Sequence, residues 1–300
     1  MTVGVTGLLF EYCVFLYIAT FNFRPVMTRY AACIEYDGSQ FSGWQAQKHD
    51  VRTVQETLER ALSKLADEQI SIVTAGRTDS GVHASHQVIH FESNVERSLH
   101  AWLKGGNRFL DKDVRIVWVE RVPDSFHARF SAISRSYRYV IYNHSVSPAV
   151  FRNHVTHIHT PLDFAAMYAG SKYLVGEHDF SSFRAAGCQA HSPIRTIQNL
   201  SLAQSGPWIW LDLTANAFLQ HMVRNIAGSL VAVGVGKYQS DWIETVLQAK
   251  DRTKGDVTAL ASGLYLVGVA YAREFSLPSA ERKLSFWSEG SAQTDLNGRL

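Results

Sequence analysis

The nine residues Ala75-Gly76-Arg77-Thr78-Asp79-Ser80-Gly81-Val82-His83 hold the chain's strongest chemical potential. Two glycines bracket an arginine and a carboxylate, so the backbone can bend sharply and lift Asp79 off the end of a sheet. A guanidinium within about 4–6 Å favours the charged form of an acid, and an ionised, positioned carboxylate can act as nucleophile or base. The same residues would also make an ordinary Asx-turn between two elements, and the pattern by itself leaves both readings open. A second polar loop with aromatics, Gly38-Ser39-Gln40-Phe41-Ser42-Gly43-Trp44-Gln45, can either meet a substrate or cap a sheet.

Cations interleaved with rings form the next constellation. In Ser134-Arg135-Ser136-Tyr137-Arg138-Tyr139, a strand puts Arg135, Tyr137, Tyr139 and Ile141 on one face and Arg138, Val140 and Tyr142 on the other. Guanidinium groups meet phosphates while rings stack on bases, so this suits RNA; tyrosine-rich strands are also common as plain sheet faces. His127-Ala128-Arg129-Phe130 adds a cation upstream. Arg224 lies two residues after Met222 and two before Ile226, which takes it off a helix's apolar stripe and leaves it either solvated or reaching for an anion.

Other chemistries find little support. No GxGxxG or GxxxxGK[ST] pattern occurs, so nucleotide cofactors have no motif. Cys188 and His191 lie close together and His83, His86 and His90 form a loose cluster, but matching second ligand pairs are missing, so hydrogen-bonded histidines are expected rather than a metal. The three cysteines, Cys13, Cys33 and Cys188, are odd in number and far apart, which fits a reducing compartment. A formal net charge of +2 means that a nucleic-acid binder would have to concentrate its arginines locally.

Positioning these residues falls to alternating strands and helices. Strands are expected at 29–36, 70–74, 87–92, 114–121, 134–142 and 264–271, with a hairpin of 195–203 and 208–215 around Ser205-Gly206. Thr53 and Glu56 form a capping box before Val54, Leu58, Ala61, Leu62 and Leu65. Asp163 opens a helix burying Phe164, Met167, Tyr168, Ser171 and Leu174, and another carries Phe218, Met222, Ile226, Leu230 and Val233. A further helix starts at Asp241 with Glu244 as its box partner. The pattern predicts an α+β chain with two lobes, 28–130 and 131–275, largely antiparallel sheets, and a cleft between them. Residues 1–27 are read as an extension: 3–23 is apolar enough for a membrane span, but Glu11 sits in its middle and no basic flank precedes it, so a mis-assigned start or disordered tail is expected. Residues 276–300 are read as a tail.

Taken together, the stretches YDGSQFSGWQAQ (36–47), TVQETLERAL (53–62), AGRTDSGVHA (75–84), FHARFSA (126–132), SYRYVIYN (136–143), GEHDFSSFRA (176–185), NAFLQHMVRNIAGSL (216–230) and GLYLVGVAY (263–271) resemble the TruA family of tRNA pseudouridine synthases. The resemblance implies two tandem ferredoxin-like lobes around a central RNA-binding cleft, a cytoplasmic homodimer, and no cofactor or metal. It makes Asp79 the catalytic nucleophile, Arg224 its catalytic partner, and Tyr137 a catalytic and substrate-binding residue that packs on the target base and helps the final deprotonation. Arg77, Arg129 and Arg135 are expected to contact RNA. The substrate would be uridines of the tRNA anticodon stem-loop just 3′ of the anticodon (tRNA positions 38–40). The sequence departs from the family pattern at Asp111 and across 257–262, where prolines are usual. Two rival readings differ in chemistry: a non-catalytic tRNA-binding or folding module, which should lack the carboxylate, and an N-glycosidic hydrolase, which usually needs two acids.

Overall fold

The computed structural model describes residues 27–48 and 50–278, so most of the amino-terminal extension and of the tail lies outside the described residues. One sheet runs through the whole molecule. Its strands are β1 (Thr28–Tyr36), β2 (Ile72–Thr74), β3 (His83–Ser93), β4 (Val114–Arg121), β5 (Ala132–Asn143), β6 (Thr156–Ile158), β7 (Gly176–Asp179), β8 (Ile194–Ser205), β9 (Trp208–Ala215) and β10 (Leu264–Tyr271). They lie in the order β4-β1-β3-β10-β5-β9-β8-β7, with β2 added to β3 and β6 to β5. Only β3/β10 and β5/β6 pair in parallel. The fold is thus α+β with a mostly antiparallel sheet.

Five helices, α1 (Val54–Ala66), α2 (Leu99–Phe109), α3 (Phe164–Ser171), α4 (Met222–Gly234) and α5 (Trp242–Ala249), complete the described chain. All contribute to one apolar cluster, which joins Leu58, Trp102, Met167, Ile226 and Val246 to Ile34, Ile89, Tyr139 and Leu211 on the sheet. Each such large side chain, taken fully out of water, stabilises by about 1.5–3 kcal/mol. The strand alternation is as expected from sequence: Tyr137, Tyr139 and Ile141 join that cluster, while Val140 points to a smaller one with Val155 and Tyr265.

Local signals explain most boundaries. Thr53 Oγ1 accepts the Glu56 N–H at 3.3 Å and donates to its carboxylate at 2.5 Å, so the expected pair caps α1, with Glu56 reaching the Thr53 hydroxyl. At Asp241 the expected box does not form, because Asp241 is itself helical and makes no side-chain cap. α3 ends at Ser171 and leaves Tyr168 exposed, so its buried side is narrower than expected, with Leu174 buried in the short turn that follows. α4 starts at Met222; Leu219 is buried before the helix begins.

Candidate active site

Asp79 lies in the bend between β2 and β3, and that bend is held from below by the polar loop after β1. Trp44 N–H donates to Thr78 O at 3.0 Å, Gly81 N–H to Phe41 O at 3.3 Å, and Ser80 Oγ to the same Phe41 carbonyl at 3.2 Å. Tyr36 and Thr78 share a hydroxyl hydrogen bond of 2.8 Å, and Gln87 Nε2 donates to Gly76 O at 2.6 Å. Gly43 has φ +94°, and a Cβ there would lie 3.1 Å from Thr78 O and 3.2 Å from Ser80 N. A side chain would be strained in that backbone and would push the bend away. The loop's role is therefore to grip the Asp79 turn.

The second half of the chain supplies what faces it. Arg224 Nη1 donates to Asp79 Oδ2 at 3.2 Å, across a separation of 145 residues. Its Nε donates to Ala259 O at 2.8 Å while its own carbonyl accepts Ala259 N–H at 3.1 Å, so the arginine is locked from both ends. The 257–262 strap, where the sequence departs from the family pattern, thus acts here through its backbone. Helix and strap meet at Gly228, where a Cβ would fall 1.9 Å from Val257 O.

His221, which the sequence analysis did not single out, is the second group at Asp79. Its Nε2 lies 3.5 Å from Oδ2, and it holds a left-handed backbone (φ 62°, ψ 1°) immediately before α4. A non-glycine residue in that region carries strain that its surroundings must offset. A histidine directly preceding the helix that bears Arg224 is the only hint the sequence offers. Among the described residues Oδ1 of Asp79 takes no hydrogen bond, and about a quarter of the side chain (26%) is exposed. The carboxylate is anchored through one oxygen, and the side chain as a whole is partly exposed.

Tyr137 is buried; its hydroxyl approaches Gly76, three residues before Asp79, and its ring meets Phe218 edge-on at 5.0 Å. Burial, then the neighbouring Tyr36 and Asp79, push its ionisation well above the ordinary tyrosine range, so it is a phenol. The other arginines differ sharply. Arg77 and Arg129 are exposed. Arg135 donates to four backbone carbonyls, those of Ala75 (2.9 Å), Arg129 (2.6 Å), Ala132 (3.1 Å) and Asn216 (3.1 Å). Its guanidinium holds the Asp79 bend to its surroundings and has few donors left for RNA.

The loose histidine cluster does not converge. His86 contacts Cys33 Sγ at 3.3 Å, and His90 accepts the Ala128 N–H at 3.1 Å. His83 instead joins Asp37 and His154, and these three offer ligand atoms within 4.8 Å of one another, the group among the described residues that could hold a metal ion. Its donors already have partners: His83 Nε2 meets Asn153 O at 3.0 Å and Nδ1 accepts Gly38 N–H at 3.1 Å. A hollow of about 330 Å³ opens beside this group, lined by Asp37, His83, Phe151, His154 and Tyr265, and not at Asp79. Its position follows packing around the histidine stack, and it contains none of the groups that face Asp79.

Comparison with known proteins places the chain in a family. A family model described as tRNA pseudouridine synthase matches residues 32–131 and 171–272. The tRNA pseudouridine synthase A of Alcanivorax borkumensis is 54% identical over 252 residues, covering 84% of this chain and 94% of that protein. Those of Legionella pneumophila (strain Corby; 53% identical, 83% and 95% covered) and Escherichia fergusonii (50% identical, 85% and 94% covered) are similar along the same span.

Proposed function

The chain belongs to the tRNA pseudouridine synthase family, so it is an isomerase of tRNA uridines, and we propose that Asp79 is its nucleophile and the anticodon stem-loop its substrate. The observation carrying the reading is the Asp79 carboxylate, held through Oδ2 by Arg224 and partly exposed. The reaction breaks the N1–C1′ bond, turns the uracil, and rejoins it through C5, with no net redox change. The target base must first leave its stack, at a cost of a few kcal/mol. Tyr137 would return about 1–3 kcal/mol by packing on it.

In this reading Oδ1 of Asp79 attacks the nucleoside, at C1′ or C6, or abstracts a ribose proton, while Arg224 and His221 keep Oδ2 in place. Because Tyr137 is a phenol at neutral pH, it supplies shape and a hydrogen bond rather than a base. Arg77 and Arg129, both exposed near the bend, take phosphates, and Arg135 acts by positioning. The lobes are residues 28–130, carrying Asp79, and 131–275, carrying Tyr137 and Arg224. A homodimer is part of the proposal on the strength of the family resemblance. Cytoplasmic placement is likewise part of the proposal on the strength of the family resemblance. No helix among the described residues is long and apolar enough to cross a membrane.

The test is to incubate wild type and Asp79→Ala with an anticodon stem-loop and map pseudouridine. The variant should bind RNA and form none. Appreciable product from Asp79→Ala would refute the assignment, and free uracil released by wild type would favour hydrolysis instead.

A further inference from the structure

Next to the active bend, the turn between β4 and β5 presents a ring to water in a fixed pose. Phe130 is 76% exposed, although Phe126, four residues earlier, is fully buried. The His127 imidazole stacks beneath it with centroids 4.3 Å apart and planes 27° from parallel. That imidazole is held in turn, since its Nδ1 accepts the backbone N–H of both Arg129 and Phe130 at 3.2 Å and its ring meets His90 at 4.8 Å. Burial, and then the nearby Arg29, hold the imidazole below the ordinary histidine range, so the ring under Phe130 is neutral. The Arg129 guanidinium lies 5.6 Å from the Phe130 centroid. Single exposed apolar residues are normal on any surface; a ring braced by a second ring, two backbone hydrogen bonds and an adjacent cation is a built surface.

Its placement is equally specific. One nitrogen of Arg135, Nη2, donates both to Arg129 O at 2.6 Å and to Ala75 O at 2.9 Å. The backbone of this turn and the backbone leading into Asp79 therefore meet on a single atom.

We propose that Phe130, backed by His127 and edged by Arg129, is a stacking platform for an unpaired nucleobase of the RNA beside the one Asp79 acts on. The inference rests on the function proposed above and adds a second contact to it. A π face accepts any base, and a guanidinium at its rim suits the flanking phosphate, which is how single-stranded RNA is held without sequence readout. The link through Arg135 ties the platform's turn to Ala75, four residues before Asp79, so a base seated on Phe130 would bias which neighbour reaches the carboxylate.

The experiment titrates an anticodon stem-loop against wild type, Phe130→Ala, Phe130→Leu, Phe130→Trp and Arg129→Ala over a range of salt concentrations, with the mass of each protein in solution measured alongside. Phe130→Ala and Phe130→Leu should weaken binding about ten-fold with an unchanged salt dependence, and Phe130→Trp should stay near wild type. Arg129→Ala should instead lower the salt slope by about one. Wild-type affinity in Phe130→Ala, or in Phe130→Leu, overturns the proposal. So does a change of oligomeric state in Phe130→Ala, which would assign the surface to a second copy of the chain. If wild type itself neither binds nor isomerises the RNA, the function proposed above fails; if it does both and Phe130→Ala matches it, only the platform fails.

Discussion

Two aspartates flank the same bend and are treated in opposite ways. Asp79 is fastened through one oxygen, Oδ2, to Arg224 and His221. Asp37 is fastened through both. Its Oδ1 accepts Ser39 N–H at 3.0 Å and Ser39 Oγ at 2.6 Å and lies 3.1 Å from His83 Nδ1, while Oδ2 meets His154 Nε2 at 3.0 Å. The adjacent His83 imidazole, and then the Ser39 hydroxyl and N–H, hold Asp37 well below the usual carboxylate range. The two acids differ in how many lone pairs the protein occupies rather than in exposure, since Asp37 is the more exposed of the two (41% against 26%), and under the proposed function that difference is what leaves Asp79 available for chemistry.

Exchanging each acid for its amide is the strongest way to break this comparison. Asp79→Asn should drop turnover to background, a loss on the order of 10⁴-fold or more, with folding intact. Asp37→Asn should retain turnover and lose about 1–2 kcal/mol of stability in urea, a value already reduced for the group's partial exposure. Equal loss of activity in both would erase the distinction. Next in size, Arg224→Ala should slow single-turnover chemistry about 10²–10³-fold at saturating RNA, with Arg224→Lys recovering part of it. A drop in affinity with a normal rate would make Arg224 a phosphate contact.

Acid sharpens the comparison further. Burial holds His86 and His90 down to about 4, with His127 and Arg29 adding to the effect at His90. Because the folded values are depressed, the stability these histidines carry is complete above about pH 6.5 and is lost as pH falls towards 4. Urea midpoints near pH 7.5 and pH 5 should differ by about 1–2 kcal/mol per histidine, and His86→Gln should shrink the difference. Asp37 has a depressed carboxylate, so its contribution persists through that window and fades only in stronger acid. Asp37→Asn should therefore leave the slope between the two pH values unchanged. The smallest effect belongs to Tyr36→Phe, which removes the hydroxyl contact to Thr78 and should cost about 1 kcal/mol.

What sequence could reveal divides along the same line, between local and distant contacts. The Asp79 bend, the capping box of α1 and the faces of β5 are legible because each depends on residues within a few positions. α2 was not expected, since Gly105 and Gly106 lower its helix propensity and its buried side shows little more than Trp102. Ser98, which caps it by accepting Ala101 N–H at 3.1 Å, was the available signal. Arg224 could be seen to leave its helix's apolar stripe, but its grip on Ala259 and its reach to Asp79 are set by tertiary packing. Arg135 reads as an RNA contact until its neighbours' carbonyls are in place. His221 and the joining of Asp37 to His83 and His154 leave no periodic trace at all.

The position of β10 has a consequence for biogenesis. It pairs with β3 through Tyr265↔His83 and Leu266↔Ala84 and with β5 along most of its length, so it closes the middle of the sheet although it is the last strand in sequence among the described residues. A nascent polypeptide emerging from the ribosome would display two open edges, β3 and β5, until Leu264–Tyr271 arrives. Such edges invite pairing with other chains. Completion of the sheet therefore depends on a segment synthesised well after both of the edges it joins.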